Sequence, residues 1–162
     1  MQLLTHEQIG AKVQRLAMEI MEFNSDESEI YLIGINNRGK ELARRFQEEI
    51  NKQSSLKTHL WNVRLSPADP LSEKAVLDHP VEELAGKIVL LVDDVANTGR
   101  TLFYALQPLL QVLPKKLEVA VLVDREHKSF PVHVSYVGLQ LSTTIGDNVL
   151  VEFSEQDEAV LE

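Results

Sequence analysis

The sequence predicts an α/β fold, a largely parallel, twisted sheet flanked by helices. Three observations carry this. Apolar runs of strand type, rich in Val, Leu and Ile, occur at 29–35, 87–93 and 117–124. Such near-continuous runs belong to strands covered on both faces. Helical periodicity separates them through the first two thirds of the chain, and strands alternating with helices require parallel crossovers. Finally, the polar clusters Asn36–Gly39, Asp93–Thr101 and Asp124–Lys128 each follow a strand. In such sheets ligands bind beyond the carboxyl ends of the strands.

The elements follow in order. Thr5 and Gln8 have capping-box spacing, and Ile9, Val13, Leu16 and Ile20 step by four, three and four. That is an amphipathic helix over 5–23, ended by Asn24-Ser25-Asp26. EIYLIGI, 29–35, reads as a strand, Asn36-Asn37-Arg38-Gly39 as a loop, and Leu42, Phe46 and Ile50 as a second helix. Residues 56–65 alternate as a strand with two unlike faces. Residues 66–80 contain Pro67, Pro70 and Pro80 and show no period, so a mobile loop is expected. Gly86 precedes the strand KIVLLVD, a polar turn covers Asp93–Arg100, and Leu102, Ala105, Leu106 and Leu109 mark a helix that Pro108 is expected to kink. LEVAVLVD, 117–124, is a buried strand, and VHVSYVG and NVLVEF are two more strands near the end. One domain is expected over 1–153, with a frayed acidic tail over 154–162.

Composition excludes several function classes. The chain has 162 residues, 44% apolar and 25% charged, which suits one sizeable core. It has no cysteine, so thiolate metal sites, disulfides and a Cys nucleophile are out. No apolar run reaches the roughly 18 residues of a membrane span. The N-terminus has no basic region followed by an apolar stretch, so a cytoplasmic protein without membrane contact is expected. With 16 Lys+Arg against 25 Asp+Glu the net charge is -9, which argues against a nucleic-acid partner.

The chemistry concentrates in IVLLVDDVANTGRT, 88–101. An apolar strand ends in Asp93 and Asp94, a Thr-Gly turn follows, and a helix begins. A helix start offers free backbone N–H groups to a phosphate. Gly99 permits close backbone approach, and Thr98 and Thr101 add hydroxyls. The two carboxylates suit ribose hydroxyls and invite a divalent cation such as Mg2+. These residue types also suit an ordinary turn, and on their own they leave both readings open. GxxxxGK[ST] and GxGxxG are absent, so neither a P-loop nor a dinucleotide fingerprint is present.

VLLVDDVANTGRT resembles the phosphoribosyl-diphosphate (PRPP) signature of type I phosphoribosyltransferases. IGINNRGKELARRF, AVLVDREHKSFPVHVSYVG and NVLVEF follow the order and spacing of the pyrimidine-operon attenuator/uracil phosphoribosyltransferase subfamily over most of 5–153. The resemblance implies the type I phosphoribosyltransferase fold with a small, strand-rich C-terminal hood, and a homodimer. It implies that Asp93 and Asp94 hold the ribose hydroxyls and Mg2+, and that Ala96, Asn97, Thr98, Gly99, Arg100 and Thr101 wrap the 5′-phosphate. Asn37, Arg38 and Gly39 match the pyrophosphate loop. Arg64 stands at the catalytic-loop arginine, so Arg64 and Asp94 are the expected catalytic residues. Leu65-Ser66-Pro67 follows Arg64 where the subfamily has acidic residues. Arg125 is expected near PRPP or the base, in Asp124-Arg125-Glu126-His127-Lys128, which usually reads Asp-Arg-Gly-His-Arg. Superfamily members that act on 6-oxopurines carry Asp where Asn97 stands, which implies a pyrimidine acceptor, uracil.

The implied function is transfer of ribose 5-phosphate from PRPP to uracil, with 66–80 as lid. A non-catalytic regulator that senses PRPP or a nucleotide is the alternative, and the residues after Arg64 favour it. An RNA-binding attenuator is a third, which the net charge disfavours.

Overall fold

The computed structural model describes residues 1–142 and 147–162. Its first helix, α1 (His6–Phe23), starts on Thr5, which accepts the Gln8 N–H while the Gln8 side chain accepts the Thr5 N–H. This reciprocal cap fixes the start the sequence predicts. Strand β2 (Glu29–Ile35) leads into α2 (Asn36–Gln53), then β3 (Lys57–Arg64). Both β2–β3 and β2–β5 pairings are parallel, with β5 spanning Ile88–Ala96. Next come α3 (Arg100–Ala105), β6 (Lys116–Arg125) and β7 (Tyr136–Leu141), each of the two strands parallel to its predecessor in the sheet. With β4 (Val76–Leu77), antiparallel to β3, the sheet order is β4-β3-β2-β5-β6-β7. The sheet is therefore largely parallel and flanked by helices, as expected.

Alternation along β2 divides the core. Ile30 and Leu32 face α1 and α2, where Leu16, Ile20, Phe46 and Ile50 are fully buried. Tyr31, Ile33 and Ile35 face the other way, onto Trp61, Leu84, Leu102 and Leu109. Each such aliphatic side chain contributes about 1.5–3 kcal/mol by leaving water.

A second, three-stranded antiparallel sheet runs β1-β9-β8, from β1 (Gln2–Leu4), β9 (Glu158–Leu161) and β8 (Val149–Glu152). The hood thus draws on both ends of the chain, and the strand in VHVSYVG joins the main sheet as β7 instead. The expectation of a frayed tail is corrected. Residues 158–161 form the central strand of this sheet, and Asp157 is buried against Arg45. Alternating Ala159 and Leu161 supply the apolar face that composition hides among acids.

Three other expectations change. Asn36–Gly39 is no loop but the start of α2, entered through a left-handed Asn36 at φ 50°. Residues 66–80 contain β4, so the segment is the excursion of a β-hairpin. The polar stretch from Asp93 is narrower, because β5 continues through Ala96. Past α3, a 3-10 turn (Gln107–Gln111) takes Pro108 in its first turn, where a missing N–H costs nothing.

Candidate active site

The carboxyl ends of β2, β3 and β5 surround a cleft of about 980 Å3. Its wall is built by backbone economy at β2. Gly34 and Gly39 let the chain turn on itself, since a Cβ on Gly34 would lie 2.3 Å from Lys40 Cα, and one on Gly39 2.5 Å from the Val92 carbonyl oxygen. Asn62, buried on β3, donates to the carbonyls of Gly34 at 2.8 Å and Asn36 at 2.9 Å. The Asn36 amide in turn donates to the Leu65 carbonyl and accepts the Leu65 N–H, both at 3.0 Å. These bonds fix the first turn of α2, so Asn37 and Arg38 stand exposed at the cleft. Arg64, at the end of β3, donates to Asn37 Oδ1 at 2.9 Å. It therefore sits on the rigid wall beside Arg38, not on a loop.

The tip of β5 also lines the cleft. Asp93 is buried and Asp94 half-buried, and the Asp94 N–H donates to Asp93 Oδ1 at 2.9 Å. Burial pushes the Asp93 carboxyl well above the usual range, the Asp94 charge adds to this, and Arg38 opposes both. Gly99, at φ 87°, turns the chain into α3. The Thr98 carbonyl accepts the N–H groups of Ser129 at 2.9 Å and Phe130 at 3.1 Å, so the β6–β7 connection braces this turn. With six residues, α3 contributes little dipole.

The structure brings Asn37, Arg38, Arg64, Asp93, Asp94, Asn97 and Thr101 to the cleft. Gly39 packs beneath it against Val92. Ala96 points into the core, and Arg100 reaches back to the Pro67 carbonyl at 2.7 Å. Arg125 is not among the lining residues, and its guanidinium donates to the Asp147 carbonyl. Asp124 is paired with Lys128. Sequence reasoning missed Asn62 and Val149. The signal for Asn62 was an amide flanked by Trp61 and Val63 in the buried half of β3, and Val149 of the hood closes one side of the cleft.

For a divalent cation the fit is partial but sufficient. Among the described residues no group of three His, Cys, Asp or Glu side chains converges. Asp93 and Asp94 are two adjacent carboxylates, a pair that Mg2+ can take when substrate oxygens and water complete its shell. Among the described residues no helix is long and apolar enough to cross a membrane.

Comparison with known proteins points the same way. The family model of the phosphoribosyl transferase domain matches residues 1–156. The bifunctional protein PyrR of Halalkalibacterium halodurans is 34% identical over 164 residues, covering 96% of this chain and 91% of the relative. The pyrimidine operon regulatory protein of Lactococcus lactis is 33% identical over 148 residues, covering 90% of this chain and 85% of the relative. Among solved structures, hypoxanthine phosphoribosyltransferase of Trypanosoma cruzi superposes with a TM-score of 0.78 at 18% identity, covering 99% of this chain and 94% of that one. A hypoxanthine-guanine phosphoribosyltransferase of Bacillus anthracis gives 0.71 at 23%, covering 86% and 81%. At these identities the solved structures speak for the fold alone.

Proposed function

This chain belongs to the phosphoribosyl transferase domain family, and from that premise we propose that it transfers the ribose 5-phosphate of PRPP to uracil and releases diphosphate. The observation that carries the reading is one cleft lined by two arginines, Arg38 and Arg64, and two carboxylates, Asp93 and Asp94. That pairing matches a substrate with an anionic leaving group and ribose hydroxyls.

In the reaction the bond from C1′ to the diphosphate oxygen breaks and its electron pair leaves with diphosphate. A ring nitrogen of the base bonds to C1′ and gives up its proton. Arg38 and Arg64 hold the leaving group, for which the guanidinium fork is well shaped. Asp93 and Asp94 accept from the ribose hydroxyls, and Asp94 faces the positive charge that builds on the ring. The turn over 96–101 receives the 5′-phosphate through backbone N–H groups and the Thr98 and Thr101 hydroxyls. Asp93 and Asp94 would also hold Mg2+, which supplies further positive charge to the diphosphate. Asn97, at the cleft, is neutral and takes no proton, which suits a pyrimidine rather than a 6-oxopurine.

The test joins binding to turnover. PRPP with Mg2+ at ~100 times its dissociation constant is expected to stabilise the fold by about 2.7 kcal/mol, and Asp93→Asn/Asp94→Asn to abolish the shift in Tm. Turnover with uracil is expected to exceed that with hypoxanthine or guanine by at least about tenfold in kcat/KM, a difference of about 1.4 kcal/mol at the transition state. Better use of a 6-oxopurine overturns the acceptor. The second reading, a regulator that senses PRPP or a nucleotide, is favoured by Leu65-Ser66-Pro67 after Arg64 and by the relative named as an operon regulator. Binding of PRPP without turnover of any base decides for it.

A further inference from the structure

We propose that Arg100 is a positioning residue for the diphosphate end of the cleft, acting through the Pro67 carbonyl, an inference that rests on the phosphoribosyltransferase reading above. The family resemblance places Arg100 on the 5′-phosphate. Its side chain turns elsewhere, since the guanidinium donates to the Pro67 carbonyl at 2.7 Å and Arg100 is not among the residues that line the cleft. Pro67 lies three residues after Arg64, which lines the cleft and is one of the two arginines assigned to the diphosphate.

Leu65-Ser66-Pro67 stands where the subfamily has acidic residues, and here it is a strap between the starts of α2 and α3. At one end the Asn36 side chain donates to the Leu65 carbonyl and accepts the Leu65 N–H, both at 3.0 Å. At the other, Arg100, the first residue of α3, holds Pro67. Leu65 is buried in the same apolar cluster as Leu102 and Ala105, so strap and helix share a core. The Pro67 ring fixes its φ, and Ser66 before it is biased toward extended backbone, so the segment is stiff. Arg100 is itself anchored, because its N–H donates to Thr98 Oγ1 at 3.3 Å and α3 is seated through Leu102 and Ala105. Arg64 directly precedes the strap and donates to Asn37 Oδ1 at 2.9 Å.

The consequence is an affinity effect at a distance. An arginine that must be ordered on binding loses rotamer freedom at that moment, which weakens the complex. Arg64 escapes much of this loss because the backbone around it is fixed, by the β3–β4 pairing at Arg64 itself and by the strap immediately after. Without the Arg100 bond the strap loses its second tie, and the chain that follows Arg64 gains freedom. Arg100 thus contributes to diphosphate binding without touching diphosphate, and it links the 5′-phosphate turn to the diphosphate arginines.

The experiment is calorimetric titration of the full chain with magnesium diphosphate. Arg100→Ala is expected to weaken binding about fivefold, the equivalent of about 1 kcal/mol for one lost hydrogen bond, and Arg100→Lys, which still donates, to recover most of the loss. Pro67→Gly frees the strap by another route, so Arg100→Ala is expected to cost less than about twofold in that background. An Arg100→Ala affinity within about twofold of the native value overturns the assignment. So does an undiminished loss in the Pro67→Gly background, which would show that Arg100 acts through its charge. A ligand-free measurement runs beside this, the rate of limited trypsin cleavage after Lys74, an exposed residue further along the same excursion. Arg100→Ala is expected to raise that rate about fivefold, and an unchanged rate overturns the strap. If the native protein does not bind magnesium diphosphate, the phosphoribosyltransferase reading fails, and the trypsin rates alone still decide the strap.

Discussion

Gly39 sits where a side chain has nowhere to go. A Cβ would meet the Val92 carbonyl at 2.5 Å and the Asp93 Cα at 3.3 Å, so α2 touches the backbone of β5 directly beneath the acidic pair. Gly39→Ala is expected to cost about 1–3 kcal/mol by overpacking and to shift Arg38 away from Asp93. Urea unfolding measures the first, and loss of the PRPP-induced rise in Tm the second. An unchanged shift would show that Arg38 is positioned by something else. Gly39 was legible in the sequence as a loop glycine, but for a different reason, since its backbone is helical and only the close approach demands it. Asn36 was not legible as a scaffold. Its left-handed backbone and its two bonds to Leu65 depend on a partner 29 residues away, which no local pattern encodes.

Helices and strands with strong periodicity were readable because one stripe or face must be buried. The start of α1 and the bounds of β2 come out of the sequence unchanged. The first turn of α2 did not, because Asn-Asn-Arg-Gly has the composition of a loop and becomes helical only through contacts from β3. Asn62 is the central clamp. Its side chain holds two carbonyls, and its N–H donates to Asp78 Oδ1 at 2.9 Å, tying β3 to the chain just past β4. Asn62→Ala removes the side-chain donor that the Gly34 and Asn36 carbonyls share. It is expected to cost about 1–3 kcal/mol and to weaken PRPP binding although the residue does not line the cleft. Chemical denaturation and calorimetric titration with PRPP are the checks, and native affinity in a destabilised variant would separate the clamp from the site.

At the scale of the molecule, what the sequence concealed was long-range. Arg45 on α2 donates through both terminal nitrogens to Asp157, which is nearly sealed from solvent, and stacks over the Phe153 ring at 4.6 Å. Burial alone would raise the Asp157 carboxyl. The Arg45 bonds and the Ser154 N–H outweigh it and hold the group below its ordinary value. Its native pKa is therefore lower than its unfolded one. The stabilisation is complete above the unfolded value, about 3.9, and is lost as pH falls through the native value. Arg45→Ala strands a buried carboxylate and is expected to cost about 3–5 kcal/mol near neutrality. The difference from the native protein should shrink in acid, where protonated Asp157 needs no partner. Urea titrations at pH 7 and pH 3 test this, and an equal gap at both would show that packing on Phe153 dominates. The acidic composition of 154–162 hid all of this, because its one buried acid looks like the exposed ones around it.

The pairing of β1 with β9 also governs the order of assembly during synthesis. Chains fold from their N-terminal portions first, yet Gln2 must wait for Val160 and Leu4 for Ala159. The nascent chain can complete its parallel sheet while β1 still lacks its neighbour, and the β1-β9-β8 sheet waits for Glu158–Leu161 to emerge from the ribosome. The cleft wall that Val149 supplies is consequently the final part of the site to take shape.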